Sequence, residues 1–545
     1  MNKQCKNCNK TFKIDDQDLE FYKKMQVPQP THCPDCRQQR RLAWRNERKL
    51  YARTCDLCKK SIISIYSPES LYLVYCQECW WSDRWDALQY GRQFDFNRPF
   101  FEQFHDLQLQ VPRLALFNLH SINSEYTNHS FDNKNCYMGV AFGGCEDCYY
   151  GQWLLNSRNC LDCLYLTDCE LCYECSYCNN CYQTYWSQHC DNMQNSLLCF
   201  ECRDCANCLG CVQLQHQQYA ILNKTVSVNE FNQQKQVILN DPKKFQELQK
   251  AYEVLKLKTP RRWSLQVNCE NCTGNDLYYS TNANACFHCR KVQNCKYVYD
   301  AVNNIDCFDS YEHGWDIASQ LIYETHAGMA GYNLKFCHIC AESRDLEYCD
   351  CCFSNSVNLF GCVGLKNQKF VILNKQYSET DYFKMKNEII KHMSGGKQTR
   401  EYGEFFPIKY SPFAYNESVA QEYFRLNKTE VLRKRWYWRD EVVQQKQTIG
   451  NFLTCQSCQQ FYRLIPQEIK FYQQISVKAP KYCPDCRHLQ RMRLRNSRQL
   501  WHRQCMCTQP DHNHNGRCAT EFETTYSPDR KELIYCEQCY NKEIY

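Results

Sequence analysis

The sequence predicts a mainly β protein with two cysteine-rich, β-solenoid-like repeat domains. Duplicated zinc-ribbon or treble-clef modules flank them, with short helices between. Three observations predict it: four C-x-x-C pairs near the start, a second copy of that segment 450 residues later, and a strict three-residue beat of cysteines in between. With 545 residues the chain is too long for one ordinary core. The expected organisation is a double zinc-ribbon module over 1–90, a first solenoid over 91–224 and a helical connector over 225–264. A second solenoid over 265–375, a helix with an extended strap over 376–450, and a C-terminal zinc-ribbon module over 451–545 complete it.

The first module rests on Cys5/Cys8, Cys33/Cys36, Cys55/Cys58 and Cys76/Cys79. C-x-x-C is the spacing at which a tight knuckle turns two sulfurs toward one tetrahedral ion about 2.3 Å away, and two pairs complete a site. Pro34 follows Cys33, and the polar, helix-compatible run RQQRRLAWRNER follows Cys36. Proline is tolerated in a first turn, so one pair sits in a knuckle and the other at a helix start. Cys76/Cys79 repeat this logic ahead of WWSDRWDALQYG.

The last module repeats the first. Adding 450 to Cys5, Cys8, Cys33, Cys36, Arg37, Arg41, Arg45, Asn46, Arg48 and Cys55 lands on the same residue type, giving Cys455, Cys458, Cys483, Cys486 and Cys505 among others. Past that point the copies diverge. The equivalent of Cys58 is lost, Cys507 appears, and the insertion QPDHNHNGRC brings His512, His514 and Cys518; beyond it the offset is 460, matching Cys76/Cys79 to Cys536/Cys539. Cys505, Cys507, Cys536 and Cys539 are the expected ligands, with Cys518 and His512 or His514 as replacements for one of them.

Sixteen cysteines lie between Cys136 and Cys211, all leaving remainder one on division by three. Chance gives this with odds on the order of 10⁻⁷, so it reports a repeat. Neither a strand nor a helix has period three. Cys145, Cys163, Cys181 and Cys199 are 18 apart, which predicts an 18-residue coil with thiols stacked inside. A second block keeps the beat less strictly, with Cys286 to Cys340 and Cys295 to Cys349 separated by 54. Both blocks end alike, GCVQLQHQQYAILNK at Lys224 and GCVGLKNQKFVILNK at Lys375. A helix-capping signal follows each, at Ser227 to Glu230 and at Ser378 to Asp381. A further helix is expected over Pro242 to Lys258, and these helices are placed to cap the open ends of the repeats. The segment from Gly403 to Lys428 is expected to be a strap lying on another surface, turning helical at its end.

Arginines follow both CPDC knuckles. On a helix starting near Cys36, Arg37, Arg41, Arg45 and Arg48 share one face, and Arg487, Arg491, Arg495 and Arg498 repeat the stripe. Two partners suit it. One is a phosphate backbone, RNA or DNA, with Trp44 and Trp501 near enough to stack on bases. The other is an acidic surface of the same chain, for instance Asp15-Asp16 with Asp18 and Glu20.

Net charge is only +6, which gives no global case for a polyanion partner. MNKQCKNCNK is polar and no apolar run of about 20 residues follows, so neither a secretory leader nor a membrane span is expected and a cytoplasmic setting is. In a reducing compartment dense cysteine means metal thiolates or buried thiols before disulfides. No catalytic constellation emerges: the 15 histidines are scattered, and Asp345, Glu347 and Asp350 read as a solvated turn.

CPDCRQQRRLAWRNERKLYARTCDLC, YCQECWWSDRWDALQYG, GCVGLKNQKFVILNKQYS and GEFFPIKYSPFAYNESVAQEYF resemble segments of a family of uncharacterised cysteine-rich zinc-ribbon (treble-clef) proteins of small-genome uncultivated bacteria. The resemblance covers most of the chain. It implies zinc binding and a bacterial cytosolic home, favours a real site around His512, and lends no activity, substrate or partner. The resulting expectation is a zinc-binding architectural or interaction protein with four to five Zn2+ per chain, binding nucleic acid or a protein partner through its arginine helices. A metal-buffering or thiol redox protein is the alternative, and an enzyme of unknown reaction the third.

Overall fold

The computed structural model describes residues 1–314, 317–395, 401–440 and 452–544. Strand exceeds helix, at 31% against 24%, so the protein is mainly β. The chain divides into two compact units, neither of them continuous in sequence. One comprises Met1–Ala115, Ser264–Asp440 and Arg498–Leu500; the other comprises Leu116–Trp263, Glu441–Ser497 and Trp501–Tyr545. Each sequence-predicted terminal module therefore shares a unit with the cysteine block that is remote from it in sequence.

Each unit is built on one long sheet. That of Leu116–Trp263 has 11 strands, from Asn118–Leu119 to Lys224–Thr225, and that of Ser264–Asp440 has 12, from Gln266–Val267 to Lys375–Gln376. Pairing is parallel until a closing antiparallel pair at each C-terminal end.

The register advances by twelve residues, not eighteen. Gln152 lies opposite Val140 on one side and Leu164 on the other, and Leu164 lies opposite Ser176. The 18-residue spacing of Cys145, Cys163, Cys181 and Cys199 thus spans one and a half steps and alternates between two columns. The stacked columns are sets such as Cys136, Cys148, Cys160 and Cys172. In the other sheet a three-residue insertion sets Asn304 opposite Ser319. Following the register upward from Cys286 through Val298, Ser310 and Thr325 then reaches Cys337, so the 54-residue spacing to Cys340 also joins different columns.

The period of three has a backbone cause. Asn156, Asn159, Asp162, Tyr165 and Asp168 all have φ between +47° and +57°, and the series continues along both sheets. Each three-residue unit has one buried side chain, one residue in the pairing ladder and one left-handed residue that turns the chain. Leu161 N–H donates to Cys172 O at 3.0 Å and Asp162 N–H to Tyr149 O at 3.0 Å, while the N–H of the inward residue stays out of this ladder. A buried N–H must find an acceptor. Interior side chains one step back supply it: Ser157 Oγ accepts from Cys169 N at 3.3 Å, Ser187 Oγ from Cys199 N at 3.0 Å and Asn133 Oδ1 from Cys145 N at 2.9 Å.

Cysteine does the same job with sulfur. Cys163 Sγ accepts the backbone N–H of Cys175, and its own S–H faces Leu161 O at 3.3 Å and Cys172 O at 3.5 Å. Small side chains that both accept and donate suit these positions, and they share the interior with apolar ones: one column runs Phe142, Leu154, Leu166 and Cys178. Burial pushes Cys148, Cys163, Cys175 and Cys190 well above the ordinary thiol range, while hydrogen bonds from neighbouring thiols and backbone N–H groups take Cys160, Cys178 and Cys202 below it.

The left-handed corners favour Asn and Asp, whose short polar side chains tolerate that conformation best among L-residues. Stacked one step apart they form ladders, with Asn192 Nδ2 donating to Asp204 Oδ1 at 2.7 Å and Asn282 Nδ2 to Asn294 Oδ1 at 3.0 Å. Another corner carries an aromatic stack, Trp153, Tyr165, Tyr177 and His189, with ring centroids 6.0, 4.9 and 4.6 Å apart.

The connector forms helices Val228–Asn240 and Pro242–Lys258, and Ser227 Oγ caps the first by accepting from Glu230 N. The first helix packs on Gln218–Ile221, and helix Glu379–Gly395 packs on Lys369–Ile372. Each thus covers the last parallel strand of its sheet. In the strap, Phe405 and Phe406 are buried beside Trp44, and Phe406 also stacks on Phe104. Short helices Ala420–Tyr423 and Lys428–Arg433 follow. Among the described residues no helix is long and apolar enough to cross a membrane.

Candidate metal centres

The first knuckle is a hairpin. Strands Asn2–Gln4 and Thr11–Lys13 pair around it, Cys5 N–H donates to Lys10 O, and Asn9 makes the turn at φ +61°. The second pair begins helix Pro34–Leu42, with Cys33 at the N-cap and Pro34 in the first turn. Hairpin Tyr51–Thr54 with Ser61–Ser64 and helix Gln77–Trp81 repeat the arrangement for Cys55, Cys58, Cys76 and Cys79. In the other unit, hairpin Leu453–Thr454 with Phe461–Tyr462 and helix Pro484–Arg493 do so for Cys455, Cys458, Cys483 and Cys486.

Each of these three sets brings its four sulfurs within 4.8 Å of one another. Cys8 and Cys33 Sγ are 3.7 Å apart, Cys58 and Cys76 3.8 Å, and Cys458 and Cys483 3.7 Å. A tetrahedral ion with sulfur ligands at 2.3 Å has an edge of about 3.8 Å, whereas a disulfide needs about 2.05 Å. The sulfurs therefore stand at ligand spacing, and all 45 cysteines are free of disulfides.

Donors around the sulfurs favour thiolate. Cys76 N–H points at Cys55 Sγ and Cys483 N–H at Cys455 Sγ, both at 3.2 Å; Asn7 Nδ2 lies 3.2 Å from Cys36 Sγ and Arg84 Nη2 2.8 Å from Cys79 Sγ. Burial alone would raise these thiols; backbone N–H groups bring Cys55 down to about 7 and Cys455 down to about 6, while Cys36, Cys79 and Cys483, beside other thiols, stay above the ordinary thiol range.

The fourth set differs from expectation. Cys505, Cys518, Cys536 and Cys539 converge, and Cys507 joins His512, His514 and Cys539 in a fifth group. Cys518, not Cys507, completes the four-cysteine set because the insertion loops out within the hairpin: Cys505 N–H donates to Thr520 O and strand Trp501–Gln504 pairs with Glu521–Thr524. The equivalent of Cys58 is not lost; it is Cys518, displaced by ten residues. Applying the 460 offset from Cys518 onward would have found it.

Most of the arginine stripe is buried rather than displayed: Arg37, Arg41, Arg45, Arg487 and Arg491 are buried, and Arg48, Arg495 and Arg498 are half-buried. Helix Pro34–Leu42 ends before Arg45 and Arg48, and helix Pro484–Arg493 before Arg495 and Arg498, so neither stripe lies on one helix face. Within the first unit Arg37 pairs with Asp309 at 2.8 Å, Arg41 approaches the same carboxylate at 3.5 Å, and Arg40 bridges Glu324 and Glu404. Arg45 pairs with Glu47 and Glu312, and Arg498 with Asp300. Within the second unit Asp162 receives both Arg487 at 2.9 Å and Arg491 at 2.6 Å. A phosphate could reach these guanidiniums only by displacing buried carboxylates, which removes the support for polyanion binding through them. Trp44 is fully buried, so it offers no stacking face; Trp501 is half-buried on its strand.

The acidic partners also differ from expectation. Asp15 and Asp18 hold Lys296, not an arginine. Asp309 and Asp162 are both left-handed corner residues, at φ +54° and +57°. The Asn/Asp-rich third position is the signal that points to them. Glu347 and Asp350 do not form a solvated turn either: Glu347 is buried with Lys335 and Lys386, and Asp350 with Arg113 and His338. Arg113, with the hydrogen bond from His338, holds Asp350 well below the usual carboxylate range despite its burial.

No family model and no curated protein matches the chain.

Proposed function

We propose that this is a zinc-held architectural protein. Its terminal segments form treble-clef zinc modules, and its two parallel sheets are coils of β-solenoids filled in part by buried, metal-free thiols. Arginines behind each CPDC knuckle fasten a module to the sheet of its own unit. The observation that carries this reading is the convergence of four cysteine sulfurs, two pairs remote in sequence, at the edge length of a zinc–thiolate tetrahedron. Sulfur-only sites closed by four protein ligands leave no position for substrate, which favours a structural over a catalytic ion.

The arginine pairs favour internal docking over nucleic-acid recognition, because carboxylates of the same unit already neutralise them. The role left to such a scaffold is to present its outer surfaces to a protein partner. Elemental analysis with thiol titration of native protein tests the reading. Four to five zinc ions are expected, with the 26 buried cysteines of the central blocks reactive only after denaturation and the half-buried Cys269 and Cys272 accessible before it. Iron, or ten or more metal ions per chain, would favour the metal-buffer alternative instead.

A further inference from the structure

Beyond the four separate four-cysteine sites, the C-terminal module contains a fifth group that shares one residue with the fourth. We propose that the module holds a dinuclear metal cluster in which Cys539 Sγ bridges two ions. One ion is held by Cys505, Cys518, Cys536 and Cys539, the other by Cys507, His512, His514 and Cys539. The proposal rests on reading the terminal cysteines as metal ligands and goes further than it.

The duplication explains how the second ion arose. The N-terminal copy has four ligands in the corresponding hairpin and helix, Cys55, Cys58, Cys76 and Cys79. In the C-terminal copy Cys507 stands where the first has Leu57, and the ten inserted residues add His512 and His514. Those changes supply three ligands. A tetrahedral ion needs a fourth, and Cys539, already committed to the other ion, is the residue within reach of all three.

Distances fit each half. His514 Nε2 lies 3.6 Å from Cys539 Sγ, equal to the edge of about 3.6 Å expected between nitrogen at 2.0–2.1 Å and sulfur at 2.3 Å from one ion. Cys507 Sγ and His512 Nδ1 are 3.2 Å apart, and Cys518 and Cys536 Sγ 4.0 Å. The rings are also set for opposite nitrogens. His514 Nδ1 is 2.9 Å from Gly516 O, which fixes the proton there and leaves Nε2 to the metal. His512 Nε2 faces Glu543 Oε2 at 3.8 Å, which leaves Nδ1 to the metal. Outer partners of this kind are what orient metal-bound imidazoles. Charge favours sharing: one ion on four thiolates carries −2, while two ions on five thiolates and two neutral imidazoles carry −1 in the same buried space.

Native mass spectrometry of the zinc-loaded full chain counts the ions, and one-dimensional cadmium-113 NMR of the cadmium-substituted full chain reads the bridge. Five ions are expected in the wild type and four in the His512→Ala/His514→Ala variant. Two cadmium resonances should be split by each other through the shared sulfur, and the splitting should vanish in that variant. A wild type with four ions overturns the dinuclear site and leaves the other sites standing. Five ions without a mutually split pair overturn the bridge. Fewer than four ions would remove the parent reading as well.

Discussion

Cysteine is used in opposite ways in the terminal modules and in the central sheets. At the termini sulfur faces sulfur across 3.7–3.8 Å, ringed by N–H donors that lower Cys55 and Cys455 toward thiolate. In the sheets the thiol of Cys163 faces backbone carbonyls and accepts one backbone N–H, and burial raises it. The same side chain stands at metal-ligand spacing in one place and is a two-way hydrogen-bonding plug in the other. What differs is the backbone: a knuckle and helix start converge pairs on a point, while a twelve-residue step lays them in columns.

Metal removal should separate the two regions most widely. Structural zinc contributes on the order of 10 kcal/mol per site, so a strong chelator should unfold hairpins such as Tyr51–Thr54 with Ser61–Ser64. Strands Leu164–Thr167 and Ser176–Asn179 should keep their protection. Hydrogen exchange read by mass spectrometry checks this, and equal loss of protection in both places would break the comparison.

Next in size is the fastening of module to sheet. Asp162→Leu leaves Arg491 without its carboxylate and Arg487 with Glu468 alone, and Asp309→Leu leaves Arg37 without its carboxylate and Arg41 with Glu324 alone at 3.8 Å. Uncompensated buried charge costs about 3–5 kcal/mol. Urea unfolding should show that loss with zinc content unchanged; a loss under about 1 kcal/mol would mean the pairs do not hold the modules.

Serine sharpens the contrast. At Cys33, serine should be as damaging as alanine and should cost one zinc, because a hydroxyl is a poor ligand for the ion. At Cys163, serine should stay within about 1 kcal/mol of wild type, as Ser157 and Ser187 already do this work, while alanine leaves an inward N–H unsatisfied for about 1–3 kcal/mol. If alanine and serine are equivalent at Cys163, the interior is filled for volume alone. The smallest effect belongs to the corners. Asn180 sits at φ +50°, so Asn180→Val should cost about 1–2 kcal/mol and Asn180→Gly much less, measured by thermal unfolding.

Much of this was legible before any coordinates. The C-x-x-C pairs announced the candidate metal centres, since a knuckle's geometry is settled within a few residues. The beat of three announced a repeat. The step of twelve was missed because cysteine, serine, threonine and asparagine share the interior columns, so following cysteine alone joined residues on different sides of the turn. The Asn/Asp corners carried the same period and would have exposed it.

Residues close along the chain thus settled the ligand pairs, the helix starts at Cys33 and Cys483, and the three-residue unit, because backbone dihedrals and short spacings act locally. Which aspartate neutralises which arginine, and that Cys518 rather than Cys507 completes the four-cysteine set, were decided only in the folded chain. Those choices depend on which surfaces meet after hundreds of residues have packed, and a buried charge or a half-filled coordination shell accepts whichever partner arrives at the right distance.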